Sequence, residues 1–402
     1  MATFGGLSLE ASASLAGAVL LLRNAAEESV TATVAPGIEV QIAEGARIVV
    51  VRGLTAQDAA AVISIAPEMA NRALDLVSMR GTVTSTLEDP SSFHVAWWED
   101  AGSRIVRLWS RLTMTMTLRA AGIGGGVTAP VPQPIWHESM RYFRMSQATD
   151  DQFDAFRNVF LGLESILDLI DPWIKGDRET DWILTALRNA SSRVNLQDYL
   201  HTPASDPPDA IFQELYRTIR TAIFHAKAGR RVLLPQVESD RSIVADATPR
   251  YARLYLDLAE KVLGSKFAGG AGGGMTAATS QLMVDAATQN LNLAMTDDPT
   301  VAESSDTTLS PLGNPTLSLP TSRTIHSVGP YFATLTAETD VPTVLDTMSH
   351  IHRYGALMSD GQLAIVEKLE GGLDPSGFDR LEVAIAVRAR NGGAGLKREY
   401  VT

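Results

Sequence analysis

Two glycine-rich segments interrupt this chain and limit the length of any continuously folded region. Residues 122–134 read GIGGGVTAPVPQP, and a second segment, from Gly264 to Gly274, holds most of the run FAGGAGGGM. Neither segment has apolar residues at the period of a helix or a strand, and glycine leaves the backbone unusually free. The sequence therefore predicts linkers at both places. They separate three expected domains, over residues 1–121, 135–264 and 276–402.

The two outer domains carry strand patterns. Residues 29–34, 38–42 and 48–52 are β-rich runs separated by turn-forming Pro-Gly and Glu-Gly pairs, and an alanine-rich helical stretch follows them. The first domain is therefore expected to be an α/β-mixed module. The third domain is rich in Thr, Ser and Pro and contains short strand-like runs such as residues 331–336. This composition predicts a β-rich module.

The central domain has helical periodicity. Between Asp151 and Ile170, aromatic and aliphatic residues recur three and four positions apart, which is an apolar stripe suited to burial. Further helices are predicted over Asp177–Asn189, Asp209–Ala228 and Pro249–Leu263, with Gly229 placed to end the third of the four helices. Four helices with short connections indicate a helical bundle. The expected fold class is therefore α+β multidomain, with this bundle between the two outer modules.

Composition excludes several functions. The chain has 402 residues, of which 45% are apolar and 20% charged, as in globular proteins. It has no Cys, so disulfides, thiolate nucleophiles and sulfur-ligated zinc are excluded. It has no apolar run long enough to span a membrane and no secretory leader pattern, so we expect a cytoplasmic protein with no membrane partner. A net charge of -12 disfavours nucleic-acid binding over the whole surface.

One short segment reverses the sign of this charge. Residues Tyr216–Arg231 hold five Lys or Arg residues and one His. Within the segment, Arg220 and His225 form an Arg-x4-His pair, which places a permanent cation beside the one side chain that titrates near neutrality. Such a pair suits phosphodiester chemistry.

The run LYRTIRTAIFHAKAGR, which contains this pair, resembles bacterial members of the HEPN superfamily (higher eukaryotes and prokaryotes nucleotide-binding). The resemblance covers about residues 138–264, and Thr221 follows Arg220 where catalytic members often carry Asn, Asp or His. It implies a central HEPN-like helical bundle and RNA cleavage, without a metal or another cofactor, in a cleft between two such bundles. The implied function is a dimeric endoribonuclease of toxin or antiviral-defence type.

Each basic residue of the segment has an expected role in this reaction. His225 could withdraw the proton of a ribose 2′-hydroxyl or protonate the leaving oxygen, while Arg220 stabilises charge on the phosphoryl oxygens. Four further cations are expected to bind RNA phosphates: Arg217, Lys227, Arg230 and Arg231. On an ideal α-helix, positions five apart point about 140° apart. The pair converges only if the helix distorts or a second protomer contributes, so a homodimer or larger homo-oligomer is expected.

Besides nucleotide binding without cleavage, two other interpretations of the sequence remain open. In the first, the Arg-x4-His pair only decorates a solvated helix face or pairs with carboxylates such as Glu164 and Asp168. In the second, the chain is a non-catalytic interaction or self-assembling structural protein that uses the bundle as a docking platform. The second glycine-rich segment and the Trp97-Trp98 pair favour this second interpretation, since paired tryptophans can form a partner-binding patch.

Overall fold

The chain folds into two units in a computed structural model. The first, called the sheet unit, comprises residues 1–114 and 277–390, and the second, called the helical unit, comprises residues 115–276 and the last residues from Asn391. The structure describes residues 1–9, 16–79, 85–116, 135–149, 151–224, 229, 231–235, 237–264, 284–303, 305–326 and 332–391.

The sheet unit is built from antiparallel strands. In chain order these are β1 (Thr3–Phe4), β2 (Leu7–Ser8), β3 (Ala16–Leu21), β4 (Val30–Ala35), β5 (Ile38–Ile42), β6 (Ile48–Leu54), β7 (Phe93–Asp100), β8 (Ser103–Met116), β9 (Asn292–Thr296), β10 (Thr316–Leu319), β11 (Ser322–His326), β12 (Phe332–Asp340), β13 (Ile351–Leu357), β14 (Leu363–Asp374) and β15 (Arg380–Asn391). One sheet has the order β10-β9-β13-β14-β1-β2, and the other has the order β11-β12-β15-β8-β7-β3-β6-β5-β4.

The two sheets pack face to face, and helix α1 (Ala59–Ser78) covers the outer face of the larger sheet. Neighbouring strand residues point to opposite faces. Trp97 of β7 therefore lies in the core between the sheets, whereas Trp98 lies in the core under α1, and the two are 1% and 5% exposed. A Cβ atom at Gly17 of β3 would lie 2.2 Å from the Trp97 ring, so glycine makes room for this packing. The Trp97-Trp98 pair forms no exposed patch.

The expected fold class is wrong. The two outer modules are not separate, because strands from both ends of the chain share the sheets: Phe4 of β1 pairs with Leu373 of β14, and β15 lies beside β8. In the described residues, fifteen strands form two large sheets, and these residues show no central HEPN-like helical bundle. Antiparallel pairing joins strands that lie far apart in sequence, and local periodicity does not record which strand is the partner.

The helical unit contains helices of very unequal length. These are α2 (Ser139–Ala148), α3 (Gln152–Ile170), α4 (Glu179–Ala190), a 3-10 helix (Leu196–Tyr199), α5 (Pro207–Ile211), a π-helix (Phe212–Arg220), α6 (Thr221–Phe224) and α7 (Glu238–Leu263). A further short helix, α8 (Val341–Leu345), belongs to the sheet unit. Among the described residues, no helix has both the length and the hydropathy needed to cross a membrane.

The predicted apolar stripe of the central region is confirmed in α3. Its aromatic residues Phe153, Phe156 and Phe160 are buried in the core of the helical unit. Asp151 caps the helix, because its carboxylate accepts a hydrogen bond from the backbone N–H of Asp154. The stripe therefore gives α3 the face on which the other helices of the unit pack.

Two prolines lie inside helices, and the sequence predicts that a helix begins at the second of them. Helix α1 continues through Pro67, and α7 continues through Pro249. A proline inside a helix removes one backbone hydrogen bond and is costly. Both helices bury residues on each side of the proline, and this burial outweighs the local cost.

Candidate functional site

The third predicted helix, Asp209–Ala228, is not one regular helix. Its described part is α5, the π-helix Phe212–Arg220 and α6. In the π-helix, backbone hydrogen bonds join residues five apart, and the Thr221 N–H donates in this way to the Tyr216 carbonyl. The Thr221 hydroxyl donates to the same carbonyl at 2.9 Å. Such segments are rare and frequently lie at functional sites.

An ion-pair network holds the π-helix against α7. Arg250 of α7 donates to both carboxylate oxygens of Glu214, at 2.6 Å and 3.2 Å, and the Tyr251 hydroxyl donates to Glu214 at 2.6 Å. Arg250 also donates to the Tyr199 carbonyl at 2.9 Å. Burial alone would raise the pKa of Glu214, but the hydrogen bonds from Arg250 and Tyr251 outweigh burial and lower this pKa.

The same network contains a set of ligand atoms at metal-binding spacing. His201, Glu214 and Asp246 each offer one atom, and these atoms lie within 4.8 Å of one another. However, Arg250 donates to Asp246 at 2.8 Å as well as to Glu214, and the Arg250 side chain is only 17% exposed. A metal ion would have to displace this guanidinium from both carboxylates. The arrangement therefore fits a structural ion-pair network better than a metal centre.

Replacing Glu214 with glutamine tests this network. The change should lower the free energy of unfolding of the helical unit by about 2 kcal/mol, because it leaves the Arg250 charge without its main partner in a partly buried place. Urea unfolding at pH 7 measures the effect. Glu238→Gln, at an exposed position in the first turn of α7, is the control and should change stability by less than about 0.5 kcal/mol. Equal effects of the two substitutions would contradict this role of Glu214.

Arg220 ends the π-helix, and its side chain is partly buried. The residues that contact its guanidinium, which are Phe160, Glu179, Tyr216 and Phe224, are called the Arg220 seat. Its guanidinium lies over three aromatic rings, with centroid distances of 4.8 Å to Tyr216, 5.1 Å to Phe224 and 5.5 Å to Phe160. Its Nη2 atom donates to Glu179 at 2.8 Å, and its side chain is 17% exposed. Cation–π contacts and a charge-assisted hydrogen bond fix both the position and the plane of the cation.

Carboxylates of both α3 and α4 interact electrostatically with Arg220 in this seat. Burial raises the pKa of Glu164, the charges of Glu179 and Asp168 raise it further, and the Arg220 charge lowers it. Glu179 begins α4, whereas Glu164 and Asp168 belong to α3. The described ion-pair partner of Arg220 is therefore Glu179 rather than Glu164 or Asp168, although the Arg220 charge also acts on Glu164.

The other predicted site residues are placed only in part. Arg217 is exposed and its guanidinium lies over Phe212, 5.4 Å from the ring centroid, so it does not share the Arg220 seat. Arg231 is exposed in the segment before α7. Three predicted residues lie outside the described residues: His225, Lys227 and Arg230. The convergence of Arg220 and His225 on one site therefore stays a prediction.

The sequence did not indicate the roles that two residues have beside Arg220. Glu179 lies 41 positions before Arg220, and nothing in the local pattern links the two. Phe160 follows from the apolar stripe of α3, but its second role as a seat for Arg220 does not. The chain matches no protein-family model, no curated protein and no solved structure. Its function is therefore inferred from the geometry around Arg220 and from the Arg-x4-His pair.

Proposed function

We propose that the chain is a metal-independent endoribonuclease of the toxin or antiviral-defence type, with Arg220 and His225 as its catalytic residues and a homodimer as its active form. One observation carries this proposal. The Arg220 guanidinium is held in place on three aromatic rings, at the end of a π-helix and five positions before His225. A cation that is oriented in advance stabilises developing charge without having to reorganise during the reaction.

The hydrogen bond to Glu179 supports the expected ligand of Arg220. A guanidinium presents a planar set of N–H donors that matches carboxylate and phosphate oxygens alike. The Glu179 oxygen, 2.8 Å from Nη2, therefore lies where a phosphoryl oxygen would bind. Arg217 and Arg231 are exposed on the same chain segment and can contact neighbouring phosphates of a polynucleotide.

The dimer belongs to the proposal because of helix geometry. The π-helix ends at Arg220, and Thr221–Phe224 is α-helical. On an ideal α-helix, residues five apart point about 140° apart, so a single regular helix would not bring both side chains to one phosphate. A second copy could supply the missing group, as in other symmetric sites at subunit interfaces.

A cleavage assay tests this function directly. Purified protein is incubated with labelled single-stranded RNA in the presence of EDTA, with DNA of the same sequence as the control. We expect cleavage of RNA alone, because attack by the 2′-hydroxyl needs a ribose and no metal. Intact RNA, or cleavage that EDTA abolishes, would overturn the assignment.

A second candidate function is that of a non-catalytic interaction protein. It is favoured by Trp173 and Ile174, which are 49% and 69% exposed in the segment that leads into Glu179. Exposed aromatic side chains of this kind are typical of binding surfaces. This function predicts intact RNA in the same assay, together with oligomers in electron microscopy that persist in an Arg220→Ala variant.

A further inference from the structure

Glu179 occupies the solvent side of the Arg220 seat. Its side chain is 42% exposed, whereas that of Arg220 is 17% exposed. Three aromatic rings lie against the guanidinium, and the Glu179 carboxylate, which is the more exposed partner, takes the Nη2 donor that a ligand from solvent would use. An anion that reaches Nη2 by this route must therefore displace Glu179.

The local structure allows Glu179 to move. It is the first residue of α4, and the residue before it, Arg178, makes no side-chain capping hydrogen bond to the helix. The preceding residues 172–178 are all exposed. A change in the rotamer of Glu179 breaks its hydrogen bonds with Arg220 and Tyr216 but does not require the rest of α4 to move.

The neighbouring charges also weaken the hold of Glu179. The charges of Glu179 and Asp168 both act unfavourably on the Glu164 carboxylate, which also feels the Arg220 charge. Burial is the first cause that raises the pKa of Glu164, and the Glu179 charge is the next. Removal of Glu179 from the seat relieves part of this repulsion.

We infer that Glu179 is an internal competitor for Arg220, which blocks the cation until a phosphate of a polynucleotide displaces it. This inference rests on the proposed function and adds a specificity-determining residue to it. When a single small anion replaces Glu179, one contact with Arg220 forms and the Arg220–Glu179 ion pair is lost. The exchange therefore gains little binding free energy. A polynucleotide also contacts exposed cations such as Arg217 and Arg231, and these contacts favour displacement. The seat therefore selects polyanions.

The experiment compares two substitutions that remove the same charge from the same helical turn. Glu179→Gln removes the competing carboxylate, and Asp181→Asn removes an exposed carboxylate of the first turn of α4 that does not contact Arg220. The probe is a fluorescently labelled 2′-O-methyl RNA oligonucleotide, which cannot be cleaved by attack of its own 2′-hydroxyl. Binding is measured by fluorescence anisotropy, and cleavage of ordinary RNA is measured in parallel.

We expect Glu179→Gln to bind the probe about five to ten times more tightly than the wild type, and Asp181→Asn to bind within about twofold of it. Glu179→Ala should resemble Glu179→Gln, because loss of the carboxylate and not gain of an amide is the cause. Equal effects of the Glu179 and Asp181 substitutions would show a general charge effect and overturn the inference. So would unchanged affinity of Glu179→Gln, or absence of probe binding by every protein.

The two measurements separate this inference from the proposed function. If Glu179→Gln binds the probe more tightly but none of the proteins cleaves RNA, the competitor role of Glu179 is supported and the endoribonuclease function is contradicted. If the wild type cleaves RNA but Glu179→Gln binds the probe with unchanged affinity, the endoribonuclease function is supported and the competitor role of Glu179 is contradicted.

Discussion

Replacing His225 with alanine should slow RNA cleavage by about 10²- to 10⁴-fold, which is the usual contribution of a general acid or base. Arg220→Ala should cost about 10²- to 10³-fold, because it removes a fixed donor from the developing charge on the phosphoryl oxygens. Initial rates on labelled RNA in EDTA give both values. Thermal unfolding of each variant, followed by circular dichroism, shows whether the loss reflects chemistry or folding.

Two further variants make this prediction specific. Arg220→Lys keeps the positive charge beside Glu164 and Glu179 but loses the planar set of donors, so it should retain the fold and still lose most activity. Arg217→Ala removes an exposed cation outside the Arg220 seat and should change the rate by only a few-fold. Full cleavage by both His225→Ala and Arg220→Ala would remove the two residues from the mechanism.

The sequence located the elements whose pattern is local. The stripe of α3 predicts both its bounds and its buried face, because i, i+3 and i+4 positions lie on one side of a helix. No local sequence pattern predicts the pairing of β1 with β14, since a two-residue strand has almost no periodicity. The expected three-module fold failed at this point, because strand partners are chosen by long-range packing.

The site shows the same limit. The Arg-x4-His pair predicts that Arg220 belongs to the site. It does not predict Glu179, the ion-pair partner of Arg220, because Glu179 is remote in sequence. The sequence also does not predict the π-helix, because the residues of Phe212–Arg220 fit an α-helix equally well. Contacts with α7, such as the one between Glu214 and Arg250, accompany the altered hydrogen bonding and cannot be read from the segment itself.

Glu367 of β14 provides the second large prediction, in the sheet unit. It alternates with Ile365 and Leu369, which are buried in the core between the two sheets, so its carboxyl group faces the same core. Its cross-strand neighbour is the fully buried Tyr354 of β13. Among the described residues no cation pairs with Glu367, and burial raises the pKa of its carboxyl group from 4.5 to about 7.

This raised pKa makes the sheet unit less stable as pH rises. Between pH 4.5 and about pH 7, the folded protein keeps a proton on Glu367 that the unfolded chain releases. Stability from this group is therefore fully present below pH 4.5 and is lost by about pH 7. The difference between the two pKa values corresponds to about 3 kcal/mol.

His94 of β7 acts in the opposite direction. Burial lowers the pKa of its imidazole from 6.5 to about 4, and its Nδ1 lies 2.7 Å from the Pro90 carbonyl oxygen. Below pH 6.5 His94 binds a proton in the unfolded chain but not in the folded protein. This group therefore lowers the free energy of unfolding as pH drops towards 4. Glu367 and His94 thus largely cancel between pH 4.5 and pH 6.5 in the wild type.

Replacing Glu367 with glutamine should remove one side of this balance. At pH 7.5 the variant should be about 3 kcal/mol more stable than the wild type, and this advantage should shrink steadily towards pH 4.5. Urea unfolding at several pH values, followed by hydrogen exchange of peptides from β13 and β14, measures the difference for the sheet unit alone. Glu370→Gln, at an exposed position of the same strand, is the control and should show no such trend. A constant difference between the wild type and Glu367→Gln across this pH range would mean that Glu367 stays ionised in the folded protein, and that the core between the sheets admits its charge.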